Sequence, residues 1–138
     1  MATSSTISSS GGPIFFWREY EEPYGFLSQW YPSAFKARPK EADEKTFLTT
    51  EQYMMYHKAI LFKDTEIADQ IMIEPEPAKQ RALGRKVKGY TDKGWKARRE
   101  EIVEEGNWWK FTQYKEGNLK QLLLETGERE LVEVDDLG

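Results

Sequence analysis

Two prolines, one glycine and five aromatic rings fall within the fifteen residues EEPYGFLSQWYPSAF, 21 to 35, and they restrict this chain more than any other feature. Proline fixes φ and removes a backbone donor, so no long helix can run through the stretch. The rings carry too much apolar surface for a solvated loop. The segment is therefore expected to be an ordered loop pinned by its own side chains, a place where binding groups are often carried. Its flanks are simpler. PIFFW (13–17) is a short apolar run before charge and predicts a strand, as does TFLT (46–49), while the apolar-poor KARPKEADEK (36–45) predicts an exposed turn.

Helical signals dominate after residue 49. Thr49 or Thr50 can cap a helix running to about Phe62, with Glu51 in the first turn, where the helix dipole favours a carboxylate. Asp64 caps a second helix that Pro75 and Pro77 end, and PAKQRALG (77–84) makes a third, stopped at Gly84. From Asp92 the pattern of Trp95, Ile102 and Val103 among charges predicts a long helix ending near Gly106-Asn107, with WWKFTQY adding a further helical turn. NLKQLLLE (118–125) predicts another helix and RELVEV (129–134) alternates like a strand. The expected fold is α+β: a mostly helical single domain over residues 13–138 with a small sheet. It follows a Ser/Thr/Gly-rich leader, 1–12, that cannot bury apolar surface and is expected to be disordered.

Composition excludes several chemistries. With no cysteine, thiolate nucleophiles and sulfur-ligated metals are ruled out, and a single histidine leaves no metal cluster. A net charge of −4 argues against wholesale binding of nucleic acid, although a local basic groove is compatible with it. No apolar run approaches the roughly 20 residues of a membrane span. The absence of cysteine fits a cytoplasmic or nuclear protein. No Ser-His-Asp order, dinucleotide fingerprint or P-loop is present, so a catalytic reading must rest on carboxylates, and carboxylate chemistry is typical of glycosidic bonds.

Glu51, Met55, Lys58 and Phe62 share one helical face, with Tyr53, Tyr56 and Ile60 on an adjoining face expected to enter the core. The pattern alone favours an ordinary amphipathic helix whose Glu and Lys snorkel from a buried stripe. The sharper alternative is a half-buried Glu51 held near a ligand. Trp95 with Arg98 and Arg99 could stack on a base and take a phosphate, or could be a core ring beside solvated arginines. His57 is expected to be a bystander.

Five pieces together carry a resemblance: YGFLSQWYPSAF (24–35), TFLTTEQYMMYHKAILFKD (46–64), AKQRALGRKV (78–87), GWKARREEIVEEGNWWKFTQ (94–113) and LLLETGERELVEV (122–134). In order and spacing the chain resembles the NADAR, or YbiA-like, domain family, and the wording around Glu51 resembles its fungal branch. The resemblance implies the compact helix-rich fold of that family and N-glycosidase activity. The implied substrates are a phosphorylated ribosyl-base compound of riboflavin biosynthesis or ADP-ribosylated guanine in nucleic acid, with no cofactor. By position it implies Glu51 and Lys58 as catalytic residues and Ser28, Gln29, Trp30, Trp95, Arg98, Arg99 and Lys110 as substrate-binding residues. Gln52 stands where the family has His, and Gln29-Trp30 where it has Asn-Phe. The family continues from its LVEV-like strand into an aspartate, a Trp-Gly-x-Gly loop and a last helix. Here LVEVDDLG ends the sequence, so the resemblance implies a C-terminally incomplete domain, with neither Asp135 nor Asp136 assignable to that aspartate. A non-catalytic ADP-ribose-binding module, or an inactive truncated member, are the alternatives it leaves.

Overall fold

The computed structural model describes residues 11–38, 43–113 and 118–134. In chain order it contains β1 (Ile14–Phe16), a 3-10 turn (Gly25–Leu27), β2 (Phe35–Ala37), β3 (Lys45–Phe47), α1 (Thr50–Leu61), α2 (Thr65–Met72), α3 (Pro77–Gly84), α4 (Asp92–Gln113), α5 (Leu119–Glu125) and β4 (Leu131–Glu133). The fold is α+β and mostly helical. Among the described residues the β structure forms two separate two-stranded ribbons: β1 pairs parallel with β4, Phe16 opposite Glu133, and β2 pairs antiparallel with β3, Phe35 opposite Phe47. Among the described residues no helix is long and apolar enough to cross a membrane. The leader, apart from Gly11 and Gly12, and the residues Asp135 and Asp136 lie outside the described residues.

The helix starts follow from local chemistry. The Thr49 hydroxyl accepts the Gln52 N–H at the head of α1, and the Asp64 carboxylate accepts the Ile67 N–H at the head of α2. A second Asp64 oxygen accepts the Lys88 N–H at 2.8 Å, and these backbone donors hold its pKa below the usual carboxylate range. Gln52 is fully buried: it accepts from Leu48 N–H at 2.7 Å and donates to the Ile71 carbonyl at 2.9 Å, tying α1 to the end of α2.

Segment 21–35 is ordered as its composition demands. Phe26, Leu27, Ser33 and Phe35 are buried, and a Cβ at Gly25 would lie 2.4 Å from the Glu19 carbonyl oxygen, so only glycine fits that approach. Its end belongs to a strand, however. β2 starts at Phe35 and continues into the stretch expected as an exposed turn, because Phe35 and Ala37 alternate inward while Lys36 points out. Two core clusters result. The larger gathers Phe35, Phe47, Tyr53, Tyr56, Ile71, Trp95 and Ile102 between α1, α2, α4 and the β2–β3 ribbon. The smaller joins Ile14, Phe26, Leu27 and Leu119, with Phe111 edge-on to Phe26.

Two expectations about the helices also need correction. Ile60 is exposed and not in the core, because its turn of α1 has passed the packing face that Tyr56 and Ala59 fill. The helix from Asp92 does not end near Gly106-Asn107 but runs unbroken to Gln113. Gly106 is a packing contact, not a stop: a Cβ there would sit 3.0 Å from Cδ1 of Tyr53. Phe35, Phe47 and His57 crowd the same ring, so it has little room to yield. Replacing a mid-helix glycine by valine ordinarily stabilises the helix by ~0.3 kcal/mol. Gly106→Val should instead lower stability, by on the order of 2 kcal/mol from overpacking, in a urea titration.

Candidate active site

The first turn of α1 is driven under the Ser28-Gln29-Trp30 loop. The Glu51 N–H donates to the Gln29 carbonyl at 3.1 Å, and the Thr50 hydroxyl reaches that same carbonyl and the Gln29 side-chain oxygen. The loop is braced within itself by the Trp30 N–H on the Ser28 hydroxyl at 3.1 Å. The docking leaves Glu51 only 4% exposed. Glu51 Oε2 has no hydrogen-bond partner among the described residues.

Glu51 lines a cavity of about 900 Å³. Met54, Met55 and Lys58 continue its wall along α1. Arg81 and Arg85, one turn apart, come from the end of α3, and Arg99 and Val103 from α4. The remaining wall is Ser28, Gln29 and Trp30, then Trp17 to Tyr20 after β1, and Glu133 with Val134 from β4. Five cations (Arg18, Lys58, Arg81, Arg85, Arg99) thus face three carboxylates and three large rings. A compact anion and a planar group suit such a wall together. Among the described residues no three His, Asp or Glu side chains are grouped to hold a metal ion.

Burial raises the Glu51 pKa from 4.5 to about 7. Arg81 and Lys58 pull it down, and Glu133 pushes it further up. Lys58 is half-buried with its ammonium over the rings of Tyr90, at 4.6 Å, and Trp95, at 5.7 Å. Burial lowers its pKa, Glu51 opposes that shift, and Arg85 adds to it. The carboxylate and amine therefore sit in a shared field, each held closer to neutrality than in water.

Of the nine residues singled out from the sequence, six stand in this wall: Ser28, Gln29, Trp30, Glu51, Lys58 and Arg99. Trp95, Arg98 and Lys110 do not. Trp95 is buried in the larger core, beneath Lys58. Arg98 is engaged by Glu101, Nη2 to Oε1 at 2.8 Å. Lys110 is wholly buried, its Nζ donating to the Ser28 carbonyl at 2.9 Å. His57 is outside the wall, with Nδ1 2.9 Å from the Tyr53 carbonyl and its ring 4.1 Å from that of Tyr53. Arg81 and Arg85 escaped sequence reading although their i, i+4 spacing on a short helix was a usable signal. Arg18, Tyr20 and Glu133 had no such signal, because they meet only through the parallel pairing of β1 with β4.

The model of the NADAR domain matches residues 15–136. The chain belongs to the NADAR domain family. It is 39% identical over 107 residues to "N-glycosidase R617" of Acanthamoeba polyphaga mimivirus, covering 78% of this chain and 62% of that protein. It is 34% identical over 118 residues to "Protein irg-1" of Caenorhabditis elegans, covering 78% of this chain and 55% of the other. The NADAR chain therefore spans less than two thirds of the length of these relatives. The NMR structure of the Escherichia coli protein YbiA superposes with a TM-score of 0.71 at 27% identity, over 88% of this chain and 66% of that one. The α+β architecture is thus shared with a solved member.

The raised Glu51 pKa carries a stability consequence with a defined sign. Between pH 4.5 and about 7 the folded chain keeps a proton that the unfolded chain has released, so stability falls as pH rises through that window. The full effect is on the order of 3 kcal/mol. Glu51→Gln should therefore be more stable than the parent at pH 8 by about 2–3 kcal/mol, with the gain reduced to about 1 kcal/mol at pH 5, in urea unfolding at the two pH values.

Proposed function

We propose that this domain is an N-glycosidase that hydrolyses the bond between a base or amine and the anomeric carbon of a phosphorylated ribose. The observation that carries the reading is Glu51: a buried carboxylate, ionising near neutral pH, with one oxygen unpartnered, in the wall of a cavity rich in cations and rings. The mimivirus relative, named as an N-glycosidase, supports the same class of reaction.

Cleavage of an N-glycosidic bond passes through a ribosyl cation, and an anion beside the anomeric carbon stabilises it. Ionised Glu51 takes that role or orients the attacking water. Lys58, coupled to Glu51, holds the carboxylate in its charged form or meets phosphate, and the Tyr90 and Trp95 rings support its ammonium. Arg99 takes phosphate, joined by Arg81 and Arg85, whose guanidiniums suit bidentate contact. The base lies against Trp30, Trp17 and Tyr20. A ribosylamino-pyrimidine phosphate of riboflavin biosynthesis and ADP-ribosylated guanine both combine these three parts, and both are the substrates to offer.

Base release from each substrate, followed by chromatography, tests the reading. Glu51→Gln should lower kcat by 10²-fold or more with KM little changed, since the missing charge matters most at the transition state. Because the ionised form acts, kcat/KM should climb with pH up to about 7 and then level off. Arg81→Ala or Arg85→Ala should raise KM about 10–100-fold, the equivalent of one charge-assisted hydrogen bond. Calorimetric binding of ADP-ribose without release of base from either substrate would assign the cavity to a recognition module instead.

A further inference from the structure

Lys58 lines the cavity, yet among the described residues its Nζ makes neither an ion pair nor a hydrogen bond. It rests on rings instead. The Nζ lies 4.6 Å from the centre of the Tyr90 ring and 5.7 Å from that of Trp95. Both distances are within reach of a cation–π attraction, which fixes an ammonium without using its N–H groups. Neither ring lines the cavity itself. Trp95 is held by burial in the larger core. Tyr90 lies on the turn between α3 and α4 and is 39% exposed, so burial does not hold it.

Local contacts hold it. The Tyr90 hydroxyl donates to Asp92 Oδ1 at 2.7 Å, and its ring lies 5.4 Å from that of Phe62, one turn beyond Lys58. Two glycines let the backbone close on Phe62. A Cβ at Gly94 would sit 3.1 Å from Cε1 of that ring, and Gly89 takes a φ of +80° with its Cβ position 3.5 Å from the Phe62 carbonyl oxygen. A hydroxyl that donates to a carboxylate also leaves its ring richer in electrons, and so a better seat for a cation. Arg81, Arg85 and Arg99 share the cavity with Lys58, and none of them makes an ion pair among the described residues. Like charges gathered in one wall repel, and an anionic ligand offsets that cost. We infer that Tyr90 is a positioning residue: clasped between Asp92 and Phe62, its ring holds the Lys58 ammonium at the cavity with its N–H groups left for a phosphate group of the ligand. Of the two tasks open to Lys58, holding Glu51 charged or meeting phosphate, this arrangement serves the second. The inference rests on the cavity being the ligand site, as the glycosidase reading has it, and not on bond cleavage.

The test is NMR titration of the full chain with inorganic pyrophosphate. Amide resonances of Arg81, Arg85 and Arg99 give the affinity, and the ε-methylene resonance of Lys58, identified by its loss in Lys58→Met, reports where the ammonium sits. In the parent that resonance should be shifted upfield by the rings, and pyrophosphate should move it. Tyr90→Leu should remove most of the upfield shift and weaken pyrophosphate about fivefold, the worth of one cation–π contact. Tyr90→Phe, which keeps the ring, should restore most of both. In the Lys58→Met background, Tyr90→Leu should change the affinity less than about twofold. A Lys58 resonance with no upfield shift in the parent, or one that pyrophosphate leaves unmoved, overturns the inference. So does a full loss of affinity from Tyr90→Leu when Lys58 is already methionine, since Tyr90 would then act by another route. Should Tyr90→Leu not fold, Asp92→Asn decides. It loosens the hold on the hydroxyl and should reduce the upfield shift and the affinity together, and a change in neither overturns the inference. Failure of the base-release assay would remove the glycosidase reading and leave this one standing, whereas pyrophosphate binding that ignores Lys58 removes this one alone.

Discussion

The contact between the Gln29 carbonyl and the Glu51 N–H ties the loop beside the smaller core to the first turn of α1. On one side is the smaller core, where Phe26 and Leu27 anchor the loop that Gln29 belongs to. On the other is the larger core, which α1 enters through Tyr53, Tyr56 and Ala59. A helix N-terminus has orphan N–H groups that must find partners. Here Thr49 supplies one and the loop another, so the start of α1 is closed to water from above. Burial of Glu51 follows from that closure, and the cavity wall assembles around it.

Such a site works against the stability of the fold that makes it. A carboxylate pushed up to about 7 ionises only at the expense of folding free energy, and a buried lysine pulled down to about 7 carries its charge under the same strain. Arg81 and Lys58 favour the charged carboxylate, and the Ser28 carbonyl accepts from the buried lysine, Lys110. The gain is a carboxylate whose ionisation falls in the range where it can act near neutral pH. Strongly shifted groups at a cavity are a common mark of function, and the surrounding arginines supply what an anionic ligand requires.

Much of the local structure was legible because it depends on near neighbours. Asp64 and Thr49 announce helix starts, and Pro75 and Pro77 announce a stop, through backbone chemistry that operates over one turn. The face carrying Glu51, Met55 and Lys58 was visible from spacing alone, and all three line the cavity. Gly106 was misleading for a corresponding reason. Glycine near the end of a periodic stretch reads as a cap, and only the nearness of Tyr53 shows that it makes room for a ring. Lys110 was equally opaque, since nothing in its neighbours says that a carbonyl from residue 28 will reach it.

By itself, the sequence determined which segments would be helical, where they begin, that segment 21–35 must be ordered, and that carboxylates are the available chemistry. These follow from propensity, capping and composition, which act within a few residues. Only the tertiary structure decided which charged side chains share one space. Arg18 and Tyr20 reach the cavity because β1 pairs with a strand more than a hundred residues later. Arg81 and Arg85 reach it because α3 packs against α1, while Arg98, one residue from Arg99, turns to Glu101 instead. Helix periodicity can say that two neighbours point in different directions. Which of them points at the other elements is settled by packing alone.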